Sequence, residues 1–287
     1  MGRRGRFLMP ALPKVPFCDT EVSRLILGDN PLYGYSHFNR LLSQHQTEYH
    51  TSGQVLETVA RAEEVGITGW QTTFTERSAC DLRAHRDAGG GVGWFCLSTS
   101  EWLDDPSGIA DAAALDPLGM APHGGGIGDR CFRDGRLDEL KDILKRIRDT
   151  GKRVGLSVHN PDLLKTSADE DWDVDYYMTG LYHLQGAARE FEEKFGHAPL
   201  SEVYLRGHRD TMCDAVRQVD KPCIAFKVLA AGRTIGSVEQ IRSEFRYALE
   251  RIKPTDPILV GMYQKFGDQV GENAALVADI CAELDAS

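Results

Sequence analysis

The segment 116–165 decides the fold of this 287-residue chain. It contains the run DPLGMAPHGGG, which starts at Asp116, and the run RVGLSVHNP, which starts at Arg153. Both runs are short and largely apolar, and each carries a histidine near its end, His123 or His159. The stretch between them has apolar residues at the spacing of one helix face (Leu137, Leu140, Ile143, Leu144 and Ile147). This pattern predicts a strand, a helix and a second, parallel strand.

The same alternation of strands and helices extends over the rest of the chain. Eight strands are predicted, near residues 24–28, 68–72, 92–97, 116–123, 153–159, 174–178, 223–227 and 258–262. Such units form a parallel sheet with right-handed crossovers, either as a closed barrel or as an open doubly wound sheet. Eight units without a break in composition favour the barrel, so we predict one (β/α)₈ domain over residues 1–287. A short flexible tail, about residues 1–15, would form its start.

Two predicted connections are longer than the usual few residues. They are residues 29–51, after strand 1, and residues 179–210, after strand 6, the second with a helical piece near 186–194. Both follow strands, so both would lie over the mouth of the barrel, where active sites of this fold are found. Lids over the site and simple lineage-specific decoration are both open interpretations.

Composition excludes several classes of function. A formal net charge of −10 argues against a surface for nucleic acid, which needs clustered Lys and Arg. No apolar run approaches the ~20 residues of a membrane helix. The seven cysteines are scattered without a C-x-x-C pair, which is typical of a reducing cytoplasm. We therefore expect a cytoplasmic protein that acts on a small molecule, and the oligomeric state stays open.

Histidines at strand ends are the first candidates for chemistry. His123 and His159 end neighbouring strands, so their rings could share one cavity. His37 and His50 lie in the connection after strand 1, and with Asp29 they could join the first two on a divalent metal. Imidazole and carboxylate ligands suit Zn, Fe or Mn. The alternative is that these histidines are hydrogen-bonded at the barrel rim.

Lys227, Asp29 and Tyr177 complete the predicted catalytic set. Lys227 ends an otherwise apolar strand, where it could bind an anion, act as a base or form a Schiff base, or else reach solvent or pair with an acid. Tyr177 ends the predicted strand 6 and could donate a proton if it faces inward, although packing is the commoner use of tyrosine. The glycine run 124–128 is either a phosphate cradle or a turn, and Asp129 after it is either an acid/base group or a cap.

The order of motifs from strand 4 onward resembles the aldo-keto reductase superfamily. The matching pieces are His123 with its glycines, GLSVHNP from Gly155, WDVDYYM from Trp172, FKVLAAGR from Phe226, and VGM from Val260 leading to DQVGEN. The whole is also similar to an uncharacterised bacterial branch of such barrels, which brings no activity with it. The resemblance implies a (β/α)₈ barrel and, in the reductases, NADPH.

The superfamily has four catalytic residues, and only one can be carried over. They are an Asp and a Tyr after strand 2, a Lys ending strand 3 and a His ending strand 4, which matches His123. Gln71 stands where the Asp would be, no Tyr follows it, and strand 3 ends at Ser98 without a Lys. For the cofactor, the resemblance implies Gly232, Arg233 and Asn273 as candidate NADPH-binding residues, and inherited packing is the open alternative.

Three hypotheses follow. The leading one is an enzyme of lyase or isomerase type that acts on a small, oxygen-rich substrate through metal-assisted or His/Lys acid–base chemistry. The second is a diverged NADPH-dependent oxidoreductase. The third is a barrel that binds a ligand without catalysis.

Overall fold

A ring of parallel strands surrounded by helices is the main feature of the computed structural model, which describes residues 11–286. The strands are β1 (Lys14–Phe17), β2 (Thr20–Ser23), β3 (Leu25–Gly28), β4 (Gly69–Thr73), β5 (Gly93–Leu97), β6 (Gly119–Ala121), β7 (Gly155–Val158), β8 (Tyr176–Gly180), β9 (Cys223–Phe226) and β10 (Ile258–Gly261). The helices are α1 (Asn30–Tyr33), α2 (Arg40–Tyr49), α3 (Ser52–Glu64), α4 (Glu76–Asp87), α5 (Gly108–Ala113), α6 (Asp129–Arg133), α7 (Leu137–Asp149), α8 (Pro161–Asp169), α9 (Leu184–Phe195), α10 (Gly207–Arg217), α11 (Val238–Arg251) and α12 (Gln269–Asp285). A π-helical turn covers Gly124–Gly128, and 3₁₀ turns cover Ser100–Leu103 and Ala230–Gly232.

The eight strands β3 to β10 close into a barrel. They lie side by side in chain order, and each hydrogen-bonded pair is parallel. The ring closes between β6 and β7, where the N–H of Met120 donates to the carbonyl of Arg153 at 2.9 Å. The predicted (β/α)₈ barrel is therefore confirmed, and the open sheet is excluded.

Side chains alternate between the barrel interior and the layer under the helices. On β5, Trp94 and Cys96 pack under the helices, while Phe95 packs inside the barrel. The indole of Trp94 donates to Thr72 Oγ1 at 2.8 Å, which satisfies its buried N–H. This alternation determines which residues near each strand end can reach the mouth.

A β-hairpin fills the end of the barrel opposite the mouth. β1 and β2 pair antiparallel, and the Phe17 ring lies 5.2 Å from Phe95 and 5.1 Å from Tyr176, the first residue of β8. The predicted flexible tail, about residues 1–15, extends too far into the chain. Residues 1–10 lie outside the described part, whereas a strand begins at Lys14. Val15 and Phe17 are buried and alternate with exposed residues before the turn at 18–19, a hairpin pattern that the sequence does carry.

Both long connections contain helices. α1 and α2 follow β3, and α9 follows β8, where it extends the predicted helical piece at both ends. The two connections meet at a hydrogen bond between His37 and Glu202. No helix within residues 11–286 has the length and apolarity that crossing a bilayer requires.

Candidate active site at the carboxyl ends of the strands

His123 caps the π-helical turn that follows β6. Its Nδ1 accepts a hydrogen bond from the backbone N–H of Gly126 at 2.9 Å, so the neutral ring carries its proton on Nε2. Burial lowers the pKa of His123 to about 4, and the nearby His159 and Lys227 act in the same direction. Nε2 has no hydrogen-bond partner among residues 11–286, so this position presents an N–H donor.

His159 follows β7 and is oriented by a buried carboxylate. Its Nδ1 lies 2.8 Å from Oδ2 of Asp129, a side chain that is only 1 % exposed. The backbone N–H groups of His159 and Asn160 donate to the same carboxylate at 3.1 Å. Because a carboxylate only accepts, Nδ1 carries a proton, so Nε2 of the neutral ring keeps the lone pair. Nε2 has no partner in the described chain, and 13 % of the side chain is exposed.

Three glycines make room for the two imidazoles. A methyl group on Gly125 would lie 3.9 Å from Cε1 of His123 and 4.0 Å from Cε1 of His159, so both rings border one small space. A methyl on Gly124 would lie 3.1 Å from His159 Nδ1, and one on Gly180 only 2.6 Å from His159 Cδ2. The structure therefore places the rings of His123 and His159 close together, as the sequence predicts.

A second imidazole–carboxylate pair lies beside Lys227. The Lys227 Nζ is 3.1 Å from Nε2 of His37, and Nδ1 of His37 is 2.9 Å from Oε1 of Glu202. Burial lowers the pKa of Lys227 to about 8, against the opposing effect of Glu202. Burial alone would raise the pKa of Glu202, but hydrogen bonds from His37 and Tyr204 bring it to about 2.

The backbone is strained at this second pair. Lys227 has φ = +60° and His37 has φ = +57°, and the turn after Lys227 adds Ala230 and Ala231 at +48° and +51°. Residues with a Cβ are uncommon in this left-handed region, and each costs of the order of 1–3 kcal/mol. Such strain concentrates at functional sites, where the surrounding structure holds it.

Arg233 is held within the protein. Its guanidinium lies 4.3 Å from the ring centre of Phe38 and 4.1 Å from that of Tyr204. It donates to the carbonyls of Ala230 at 3.2 Å and His37 at 3.0 Å. Gly232 beside it has φ = +84°, which favours glycine. Asn273 lies elsewhere, in α12, where it lines a cavity of about 230 Å³ against α11.

The predicted metal site is not assembled. Within residues 11–286, no three His, Cys, Asp or Glu side chains gather at the spacing of metal ligands. His50 is fully buried, with its ring 4.8 Å from Tyr49 and 5.2 Å from Tyr263, and its Nδ1 is 3.2 Å from the carbonyl of Gln46. The ligand set of His37, His50, His123 and His159 is therefore not supported. The prediction failed because α2 carries His50 into an aromatic cluster.

Tyr177 does not reach the mouth. β8 runs two residues further than the predicted strand, so Tyr177 is near its start and not at its end. Its side chain is fully buried under the helices, where its hydroxyl accepts from Ser167 Oγ at 3.3 Å. The catalytic placement of Tyr177 is therefore wrong.

Asp29 lies at the end of β3, where its Oδ2 accepts from the N–H of Thr73 at 2.7 Å. Burial raises its pKa to about 6. No hydrogen bond or ion pair joins it to His123, His159 or Lys227 in the described chain. A catalytic role for Asp29 stays a prediction.

Glu202 and Tyr204 are the site residues that sequence reasoning missed. Both lie after α9 in the long connection, in a stretch without helical or strand periodicity. For Asp129, the sequence leaves open an acid/base role and a capping role. The signal that could have found it is its position directly after the glycine run that follows His123.

Comparisons with known proteins identify the fold. No family model matches the chain, and no curated protein matches it. Among solved structures, the apo form of Gox0644 matches with 13% identity over 96% of this chain and 93% of that chain, at a TM-score of 0.55. Aldo-keto reductase AKR11C1 from Bacillus halodurans (holo form) matches with 13% identity over 96% of each chain, at a TM-score of 0.53. A truncated 3-deoxy-D-arabino-heptulosonate 7-phosphate synthase from Thermotoga maritima matches with 12% identity over 96% of this chain and 92% of that chain, at a TM-score of 0.53.

These likenesses define the class of fold. The chain has a (β/α)₈ barrel fold that is similar to those of an aldo-keto reductase and of the heptulosonate phosphate synthase. At such low identity the likeness extends to the fold and not to the reaction.

Proposed function

We propose that this protein is an enzyme that moves a proton on a small, oxygen-rich carbonyl compound, as isomerases and lyases do. One observation carries the proposal. His159 has a lone pair on Nε2, His123 has a proton on Nε2, and the two rings border the same space. A base and a hydrogen-bond donor within one cavity are what removal of a proton next to a carbonyl group requires.

The proposed roles follow from the hydrogen bonds. His159 would take the proton from the carbon beside the carbonyl group, and Asp129 would stabilise the imidazolium that forms. His123 would donate from Nε2 to the carbonyl oxygen, where negative charge develops. Returning the proton to the former carbonyl carbon, with loss of the hydroxyl proton on the carbon that was deprotonated, completes an isomerisation. Loss of a leaving group from the carbon β to the carbonyl group instead completes a lyase reaction. Lys227 adds positive charge near the bound oxygen atoms.

Proton exchange tests this proposal without knowledge of the natural substrate. Dihydroxyacetone, glyceraldehyde and pyruvate would each be incubated with the protein in D₂O and followed by proton NMR. We expect exchange of the carbon-bound protons with at least one probe, and a loss of ~10²–10⁴-fold in His159→Gln. His197→Gln, on an exposed residue, is the matched control. Equal rates in His159→Gln and the unmodified protein would overturn the proposal.

NADPH-dependent carbonyl reduction is the second candidate. Asn273 at its cavity favours it, as does a mutant form of Gox0644, whose solved structure in complex with NADPH has a TM-score of 0.55 to this chain. The residues present fit the cofactor poorly, because Arg233 already donates to two backbone carbonyls and lies against the rings of Phe38 and Tyr204. We expect no saturable change in NADPH fluorescence up to millimolar cofactor. Saturable binding that weakens in Arg233→Ala would favour the reductase instead.

A non-catalytic barrel is the third hypothesis. It predicts that the polar groups at the strand ends satisfy one another. The unpartnered Nε2 atoms of His123 and His159 in the described chain argue against it.

A further inference from the structure

Lys227, His37 and Glu202 form a hydrogen-bonded line in the mouth of the barrel. Nζ of Lys227 is 3.1 Å from Nε2 of His37, whose Nδ1 is 2.9 Å from Glu202 Oε1. A weakly nucleophilic group, a base within hydrogen-bond reach, and a third group that orients the base make up the usual arrangement of an activated nucleophile. Here the nucleophile would be an amine.

The hydrogen bonds determine which nitrogen of His37 acts as the base. The amide of Asn30 also lies 3.1 Å from Nε2 of His37, and both Lys227 and Asn30 are donors. Nε2 is therefore an acceptor, and Nδ1–H donates to Glu202. The hydroxyl of Tyr204 donates to the other oxygen of Glu202 at 2.9 Å, which fixes the carboxylate.

We propose that Lys227 forms an imine with an aldehyde or ketone, and that His37 and Glu202 relay the proton. The relay reaches solvent, because His37 and Glu202 are 25% and 35% exposed in their side chains, and Lys227 itself is only partly buried. The left-handed backbone at both Lys227 and His37 supports the assignment, because strain is tolerated where a site needs a particular direction of the side chain. The proposal rests on the proposed function for its substrate class and adds a covalent step.

The step balances without a further reactant. The Lys227 ammonium gives one proton to His37, and its lone pair attacks the carbonyl carbon. The C–N bond forms, and the C=O π electrons move to oxygen, which takes the proton back from His37 and becomes a hydroxyl group. Loss of the second amine proton and of the hydroxyl group, as water, gives the C=N bond. The protonated imine then draws electrons more strongly than the carbonyl group, which makes proton removal by His159 easier.

Borohydride trapping tests the covalent step. The full-length protein would be mixed with glycolaldehyde, dihydroxyacetone or pyruvate, reduced with borohydride, and mapped by peptide mass spectrometry. We expect Lys227 to gain the mass of the carbonyl compound less one oxygen atom. Lys227→Met should lose the label, and Lys145→Met, on an exposed residue of α7, should keep it. Labelling of exposed lysines alone, with Lys227 unmodified, would overturn the proposal.

Substitutions in the relay separate proton transfer from a structural role. Glu202→Gln keeps the shape of the side chain but weakens the base, so the trapping rate should fall about 10²-fold and its pH profile should move. Asn30 contacts the same nitrogen of His37 but transfers no proton. Asn30→Ala should therefore change the trapping rate much less. Circular dichroism checks that both variants fold. Equal effects of the two substitutions would argue for a structural role and against the relay.

The outcome distinguishes this proposal from the proposed function. Unchanged proton exchange in Lys227→Met, with no trapping, would overturn the imine and leave the acid–base proposal standing. Trapping at Lys227 without proton exchange would overturn the acid–base proposal and leave the imine standing.

Discussion

The Asp129 carboxylate lies 2.8 Å from Nδ1 of His159 and also accepts the backbone N–H groups of His159 and Asn160. One buried acid thus holds both the ring and the start of α8, where Asn160 caps the helix and Pro161 occupies its first position. The position of the imidazole is consequently tied to backbone and not only to another flexible side chain.

Replacing Asp129 by Asn should change which nitrogen of His159 carries its proton. An amide can donate to Nδ1, which would place the proton on Nε2 and remove the base. The ring nitrogen shifts in long-range ¹H–¹⁵N NMR spectra report the tautomer directly. Asp162→Asn, on an exposed residue of α8, is the matched control. An unchanged spectrum of His159 in Asp129→Asn would contradict the assignment of the tautomer.

His123 should make folding stability depend on pH in acid. Its pKa is lowered from 6.5 to about 4, so between these values the unfolded chain binds more protons than the folded one. The free energy of unfolding should therefore rise with pH across that window. Asp29, with its pKa raised to about 6, acts in the opposite direction. Urea unfolding at several pH values would give the difference in the free energy of unfolding between the unmodified protein and His123→Gln. A difference that does not change with pH would refute the prediction.

Gly180→Ala should displace His159. The new methyl group would lie 2.6 Å from Cδ2 of the imidazole, closer than carbon atoms approach, and at a tight 3.1 Å from Phe226. We expect proton exchange on the carbonyl probes to fall at least ~10²-fold, since a shift of about 1 Å costs that much. Gly207→Ala is the control, because nothing lies within 4 Å of its added methyl group. Full exchange activity in Gly180→Ala would mean that His159 is not the base.

Phe17→Ala should destabilise the barrel at the end opposite the mouth. Phe17 is fully buried against Phe95 and Tyr176, so truncation should lower the free energy of unfolding by about 3–5 kcal/mol. Leu200→Ala, on a fully exposed side chain, should change it by less than about 0.5 kcal/mol. Denaturant unfolding measures both. Equal effects would mean that the hairpin does not contribute to the core.

Much of the fold could be predicted from sequence because local periodicity reports buried faces. The helix between β6 and β7 and the cap at Asn160 are local features, and they brought His123 and His159 to neighbouring strand ends correctly. Tyr177 was misplaced because an apolar run does not mark where a strand ends, and a shift of two residues moved the side chain from the mouth to the start of the strand.

The other half of the site depends on contacts that no local pattern encodes. Glu202 meets His37 across 165 positions of the chain, and Lys227 meets His37 across 190. His50 lies in the same connection as His37, yet the path of α2 places its ring between Tyr49 and Tyr263. Pairings of this kind arise only when separate connections fold over one another.

The contact between His37 and Glu202 joins two connections that must part if a molecule is to pass between them. Parting them would take the imidazole away from its carboxylate, so the amine would lose its proton acceptor whenever the entrance stood open. Lys227 would regain that acceptor only after the two connections had closed over the bound molecule. The open protein would thereby be protected from imine formation with other aldehydes in the surrounding solution.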